Sequence, residues 1–385
     1  MISSKVYKIV GTVIWVASHL ASIPFGWDFK KKKVDASKWA EWPSQFFFFM
    51  LYIPYMFLMT IKVIYYQLSR DYSSLAYLYG LWNFAVMIFI LALLQVTNAN
   101  ELRVLCNAVV TYTENLSAFY TRRHEGTQNK IRRLKQLLII IILVSTLSQT
   151  VAITHHCLFP TDVAYPWSIM SEDDFTLPIY LFLVNSYAVG QTIVGTLMNL
   201  QMTAIVAYIY TLTVIILPEF TTGRPSTSYG ISGKLRTFQR LPQFYRGLQI
   251  LHSRALNLYG WMMIPFQTLC LNQVLFCNYI LTTRWKEMED LHKALLLLWS
   301  VMITIIYGGV LEYGGRLFQV GTKTLRSWEH FNWGTNWRNK YMKRFGKACR
   351  PIRIHYGNRY TIRKLTVLKF FRGIVRGTFR ALLVT

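Results

Sequence analysis

LTVLKFFRGIVRGTFRALLVT, residues 365 to 385, is the stretch on which the reading of this chain turns. Crossing the hydrocarbon core takes roughly 20 residues of helix, and this stretch has that length, yet it carries Lys369, Arg372, Arg376 and Arg380. The three arginines recur at i, i+4 and i+8, with Lys369 three residues earlier, so a helix gathers all four on one side and Leu368, Phe371, Val375 and Leu382 on the other. A helix of that kind either lies flat among the headgroups or crosses with its cations turned to water or protein. The spans elsewhere in the chain decide between the two.

Of 385 residues, 53% are hydrophobic and 15% charged, against about a quarter charged in a soluble protein. There is too little charge to cover a water-soluble surface, and the composition is that of a membrane protein. The net charge of +25 does not point to nucleic acid, because the basic residues alternate with apolar spans instead of forming one patch. Charge placed in that way reports orientation and contact with anionic membrane lipids. Five cysteines, an odd number with no CxxC pair, indicate neither a zinc site nor a disulfide framework.

The expected fold is an all-α membrane protein with seven transmembrane helices, at 46–67, 74–96, 137–156, 178–217, 259–281, 294–314 and 365–385. An amphipathic helix in the membrane plane is expected before them, carried by Val6, Ile9, Val10, Val13, Ile14, Ala17 and Leu20. The fourth span has about twice the residues that a bilayer needs. With no charge between Pro178 and Leu217, it reads as one long helix projecting into the cytoplasm. Lys and Arg number 33 in one set of alternating segments and four in the other, which places the N-terminus in the cytoplasm. Seven spans then put the C-terminus outside, and the last helix must cross.

This divides the chain into a cytoplasmic or interfacial segment (1–45), helices one to four (46–217), a cytoplasmic loop (218–258), helices five and six (259–314), a basic, aromatic cytoplasmic segment (315–364) and the final helix (365–385). Segment 315–364 interleaves Trp328, Trp333, Trp337, Arg338, Lys340, Tyr341 and Arg344, as a subunit-contacting or interfacial helix would. The connection from Phe159 to Leu177 has no Lys or Arg but holds Asp162, Glu172, Asp173 and Asp174 beside Tyr165 and Trp167, and reads as an acidic, aromatic cap over spans three and four.

No enzymatic chemistry is visible. The eight histidines form no HxxxH or HExxH pattern, no GxSxG or GxxxxGK[ST] occurs, and no acidic pair lies within a span. Neither a catalytic residue, a metal nor a cofactor is indicated. The spans instead carry uncharged polar groups among rings, as a pocket for a small organic molecule requires. The candidate ligand contacts are Tyr79, Trp82, Gln149, Tyr180, Tyr187, Gln191 and Trp299. Adjacent His155 and His156 read as interfacial polar residues.

Seven spans with the N-terminus inside are the reverse of a G-protein-coupled receptor. Together with Pro24-Phe-Gly-Trp-Asp28 before the first span, the long basic segments after spans two, four and six, and Thr378-Phe379 in the last helix, they resemble the arthropod gustatory and odorant receptor superfamily. The signature of that family in its last helix is Thr-Tyr, five residues, Gln-Phe. Thr378 and Phe379 match its start and lean to the gustatory branch, but Thr385 stands where the Gln would be. The resemblance implies a plasma-membrane, ligand-gated cation channel, a homo- or hetero-tetramer opened by a tastant or odorant. It further implies a ligand site in the outer half of each bundle, an inter-subunit anchor in the cytoplasmic parts of spans four to seven, and a pore lined by the last helices. By that analogy Arg372, Arg376, Thr378 and Arg380 line the pore, although rings of arginine ordinarily favour anions. The competing readings are a G-protein-coupled receptor, which needs the opposite orientation, and a transporter, for which an internal repeat is expected.

Overall fold

The computed structural model describes all residues except 1–3, 71, 120–124, 160–164, 166–175, 226–228, 287, 357–359 and 385. Helix α1 (Ser4–His19) leads into a hairpin of β1 (Phe25–Asp28) and β2 (Lys33–Ala36). Then follow α2 (Trp39–Leu68), α3 (Tyr72–Thr97), α4 (Ala99–Ser117), α5 (Glu125–Leu158) and α6 (Leu177–Phe220). The second half holds α7 (Arg240–Tyr259), α8 (Met263–Thr283), α9 (Asp290–His330), α10 (Asn336–Ala348), the two-residue strands β3 (His355–Tyr356) and β4 (Tyr360–Thr361), and α11 (Lys364–Val384).

Five of these helices, α2, α3, α5, α6 and α9, are long and apolar enough to cross a membrane by length and composition. Large apolar side chains on α2 (Phe49, Phe57, Ile61, Ile64), α5 (Ile140, Leu143, Leu147) and α6 (Leu181, Phe182, Val189) are exposed, as lipid-facing positions are. The protein is a multi-pass membrane protein. Helices α8 and α11 have 21 residues each, enough to cross, but α8 is diluted by Gln267, Asn272, Gln273 and Asn278 and α11 by its four cations. The expected count of seven therefore rests on two helices that need partners for their polar groups.

The fourth span is one continuous helix of 44 residues. It contains a π-helical turn, Thr211–Ile216, just before Pro218, and α2 has the same device at Phe47–Tyr52 before Pro54. Proline lacks the N–H for an i→i−4 bond and its ring crowds the carbonyl there. A one-residue bulge relieves both problems without ending the helix. Segments read as loops from sequence are also helical: α4 lies within 97–136, and α7 takes up 218–258 from Arg240 onward and ends at Tyr259. Helix α9 runs 16 residues past the expected end of the sixth span, to His330.

Helix α9 is the axis of the fold, with α5, α6, α8, α10 and α11 packed on it. One end of the bundle, here the far end, holds the α2–α3 and α8–α9 connections, the end of α5 and the start of α6; the near end holds the two hairpins, α4, α7 and α10. At the near end, the chain returning from α10 to α11 presses against α9. A Cβ on Gly315 would lie 2.8 Å from the Lys364 amide nitrogen, and one on Gly321 would lie 2.9 Å from the Ile352 carbonyl oxygen. Only glycine allows that approach.

The Pro24–Asp28 stretch singled out in the sequence becomes β1. Trp27 seats against Gly11 of α1, and Asn107 of α4 bonds both the N–H and the carbonyl of Val34 in β2, each at 2.8 Å. Helix α1 buries Ile14 and Ala17 and packs along α6. Of the acidic cap, Asp162, Trp167, Glu172, Asp173 and Asp174 lie outside the described residues.

Candidate ligand-binding site

Trp299, two and a half turns into α9, is 4% exposed and forms the centre of the far half. Its indole N–H donates to Ser148 Oγ of α5 at 2.8 Å, and its ring stacks on Phe84 of α3 at 4.8 Å between centroids and 11° between planes. Around it Ala152, Cys277, Ile280, Leu295 and Leu296 make a small apolar cluster separate from the main core.

The remaining candidates fall into two groups. Tyr79 and Trp82 belong to the first: Tyr79 packs on Phe276 of α8 at 4.5 Å and on Trp82 at 5.5 Å, and the Trp82 N–H donates to Thr60 Oγ1 of α2 at 3.0 Å. Trp82 thus reaches α2. Gln149, Tyr187, Gln191 and Tyr180 lie between α5 and α6. Gln149 fills the space left by Gly195, where a Cβ would sit 1.8 Å from its Cδ. Gln191 donates to Tyr187 Oη at 2.8 Å, and the Tyr187 ring lies 4.2 Å from His156 and 5.0 Å from Tyr165. The Tyr180 hydroxyl donates to the Cys157 carbonyl at 2.9 Å, tying the start of α6 to the end of α5.

Trp299 is thereby joined to α3 and α5, while Trp82 and Tyr180 serve neighbouring helix contacts. Ser148, Phe84, Phe276 and Tyr165 complete the constellation. Ser148 immediately precedes Gln149 and shares a small-residue face with Ser145 and Ala152, the signal that could have found it. Phe276 comes from α8, which the sequence reading left out of the site. Lys62, inside a span, is buried and donates to the Tyr165 carbonyl, so this cation meets a backbone partner at the far end.

A concavity of about 280 Å³ lies towards the near end among α1, α3, α4, α6, α7, α8 and α9. Leu105, Met202, Leu248, Phe266 and Tyr307 line it, and His252 and Tyr208 supply its polar edge. Sequence reasoning missed it because α4 and α7 were read as loops.

On α11, Val367, Phe370 and Ile374 are buried, and Gly373 and Gly377 receive Leu271 and Leu275 of α8. Lys369, Arg372, Arg376 and Arg380 are exposed, beside exposed Leu368, Val375 and Phe379. Thr378 differs from the arginines: it is half-buried and Asn278 of α8 lies 3.4 Å from its hydroxyl.

These helices, with their lipid-facing surfaces and polar-aromatic far half, define a multi-pass membrane protein built around one long axial helix. Among solved structures, the olfactory receptor OR5 of the insect Machilis hrabei in complex with eugenol has the same fold: TM-score 0.71 at 13% identity, covering 99% of this chain and 98% of that one. A second structure of OR5 gives 0.68 at 12% identity, over 98% and 97% of the two chains. No family model matches the sequence, and no curated protein matches it. The fold is that of an insect olfactory receptor.

Proposed function

We propose that the chain is a chemosensory receptor of the insect odorant and gustatory superfamily, a ligand-gated channel opened by a small organic odorant or tastant. The observation that carries this is the end-to-end correspondence with an olfactory receptor described in complex with eugenol, over 99% and 98% of the two chains. The ratio of 33 basic residues to four supports an N-terminus inside and a far end outside, with α1 at the cytoplasmic surface. Trp299, Phe84, Ser148, Tyr187 and Gln191 contact the ligand, with Gln149 and Tyr79 at its margins. A ligand opens the channel only through higher affinity for the open form.

In this reading four subunits meet through their near ends and place α11 about a central pathway, with Arg372, Arg376 and Arg380 in water and Thr378 held against α8. A cation in hydrocarbon costs about 2.5 to 3.5 kcal/mol on insertion scales, which favours the watery side for an exposed arginine. The fold gives a G-protein-coupled receptor no support, and nothing in the element order suggests a transporter repeat. The test is whole-cell recording from cells expressing the chain, against eugenol and other small aromatic volatiles, sugars and bitter compounds. Ligand-evoked current is expected; a surface-expressed chain silent to the whole panel overturns the reading, and an N-terminal tag stained on unpermeabilised cells overturns the orientation.

A further inference from the structure

His155, at the last turn of α5, and His292, in the first turn of α9, are 137 residues apart in sequence, yet His155 Nε2 and His292 Nδ1 face each other at 3.2 Å. The Glu289 carboxylate, at the N-terminal boundary of α9, lies 4.0 Å from the same His292 nitrogen. One ligand atom from each of the three residues falls within 4.8 Å of the others. We propose that His155, His292 and Glu289 form a binding site for a divalent transition-metal ion of the zinc class, clamping α5 to α9 at the far end.

The donor set suits that ion. Two imidazoles and a carboxylate are ordinary zinc ligands, with a water completing the tetrahedron. Bonds of about 2.0 to 2.1 Å at tetrahedral angles separate ligand atoms by about 3.3 Å, close to the histidine spacing. The carboxylate has to come nearer by about 0.7 Å to His292 and by up to about 1.5 Å to His155, and Glu289, half exposed, is free to rotate towards the ion. The second shell is present as well. His155 is fully buried and its Nδ1 is bonded to Tyr165 Oη at 2.5 Å, which leaves Nε2 for the metal. Tyr165 is itself held by Lys62 at its carbonyl.

Glu289 and His292 form an E-x-x-H spacing that sets both on one side of the helix start. Access is from the far-end surface, where Glu289 is exposed. Between Phe159 and Thr176 the sequence carries four acids and no basic residue, a balance that favours cation entry. Trp299 lies two turns along α9 from His292, so a bound ion would restrain the helix that carries the ligand-site tryptophan.

Binding is measured without current, so its outcome is separable from that of the receptor reading. The full chain, with any histidine tag removed, is placed in lipid nanodiscs and titrated with Co²⁺, followed by visible d–d absorption, and then with Zn²⁺ by calorimetry. One tetrahedral Co²⁺ per chain, displaced by Zn²⁺, is expected. His292→Ala and Glu289→Gln should each weaken binding at least tenfold, Tyr165→Phe by about 10-fold or more, and His330→Ala at the near end not at all. A missing tetrahedral band, or affinity unchanged in His292→Ala, overturns the site. If a variant fails to elute as wild type does, Zn²⁺ protection of His292 from diethyl pyrocarbonate in the wild-type chain decides: protection supports the site, and unchanged labelling refutes it.

Discussion

The two ends of the bundle bury their polar groups by different means. At the near end side chains are locked to backbone. The Glu219 carboxylate, 3% exposed, accepts the N–H groups of Gly230 and Ile231 at 3.1 and 3.2 Å. Trp328 donates to the Phe220 carbonyl at 2.8 Å, and Thr222 donates to the Ser327 carbonyl, also at 2.8 Å. At the far end, beside the backbone ties of Tyr180 and Lys62, the bonds around Trp299 run between side chains: Trp299 to Ser148, Asn83 to Gln273 at 2.9 Å, and Gln191 to Tyr187. A bond to backbone is lost only if the chain moves, whereas two side chains can exchange each other for a ligand by changing rotamer. By this measure the near end is the more fixed frame and the surroundings of Trp299 the more adaptable part.

The largest effect that this contrast predicts is steric. Gly315→Val places carbon against the Lys364 and Arg363 backbone at 2.8 to 2.9 Å, where no flexible side chain can give way. Overpacking commonly costs about 1 to 3 kcal/mol and more against rigid neighbours, so the variant should lose most surface expression and fall markedly in thermal midpoint. Gly190→Val, on α6 in the far half with nothing within 4 Å of its Cβ position, should do neither. Equal losses in both would erase the distinction.

Next in size is a pH effect at the near end. His252 of α7 lies between Tyr208 Oη at 3.0 Å and the Arg353 carbonyl at 2.9 Å. Burial, reinforced by nearby His355 and opposed by that carbonyl, holds its pKa down to about 4, against about 6.5 in an unfolded chain. Between those values the unfolded state takes up a proton that the folded state refuses. Stability is thus full above pH 6.5 and falls as pH drops towards 4, by about 3 kcal/mol for this group. The thermal midpoint of the solubilised protein between pH 7.5 and 4.5 reports it, and His252→Gln should flatten the fall. An unchanged slope in that variant would remove His252 from the account.

A matched pair then tests which end recognises ligand. Trp299→Phe and Trp328→Phe each delete one buried indole bond and leave an acceptor unpaired, a loss of about 1 to 3 kcal/mol. Both should lower the thermal midpoint by similar amounts. Only Trp299→Phe should shift the midpoint of the ligand response, by tenfold or more. Equal shifts would mean that the tryptophan acts through stability alone.

The unequal legibility of the two ends has the same physical origin. Long apolar runs state their own length, so the 44-residue α6 was readable from Pro178 to Leu217 once the absence of a charge was noticed. The near-end helices α4 and α7 were not, because charged amphipathic helices in a membrane protein look like the basic loops that carry its orientation signal. At the far end, Trp299 and Tyr187 could be nominated from composition, since rings and amides in apolar spans are few. Their partners could not: Trp299 meets Ser148 across 151 residues, and His155 meets His292 across 137. Such pairings are set by helix packing, which no local pattern records.

The smallest predicted stability effect concerns the helix from which the reading began. Arg376 is exposed and, among the described residues, no ion pair involves the α11 cations, so its surroundings decide what removing its charge does. Facing lipid, Arg376→Leu would gain about 2.5 to 3.5 kcal/mol, the cost of a cation at helix centre. Facing water, the change stays within about 0.5 kcal/mol, as for other exposed positions. The small change is expected, with the thermal midpoint in nanodiscs nearly unmoved. Reversal potentials in sodium and chloride gradients complete the test, because an arginine on the ion path must alter selectivity when Arg376→Gln removes its charge. A shifted reversal with an unmoved midpoint places Arg376 in the pore. A raised midpoint with an unmoved reversal turns the same stripe towards lipid, and α11 would then separate its cations from the conduction path that its partners line.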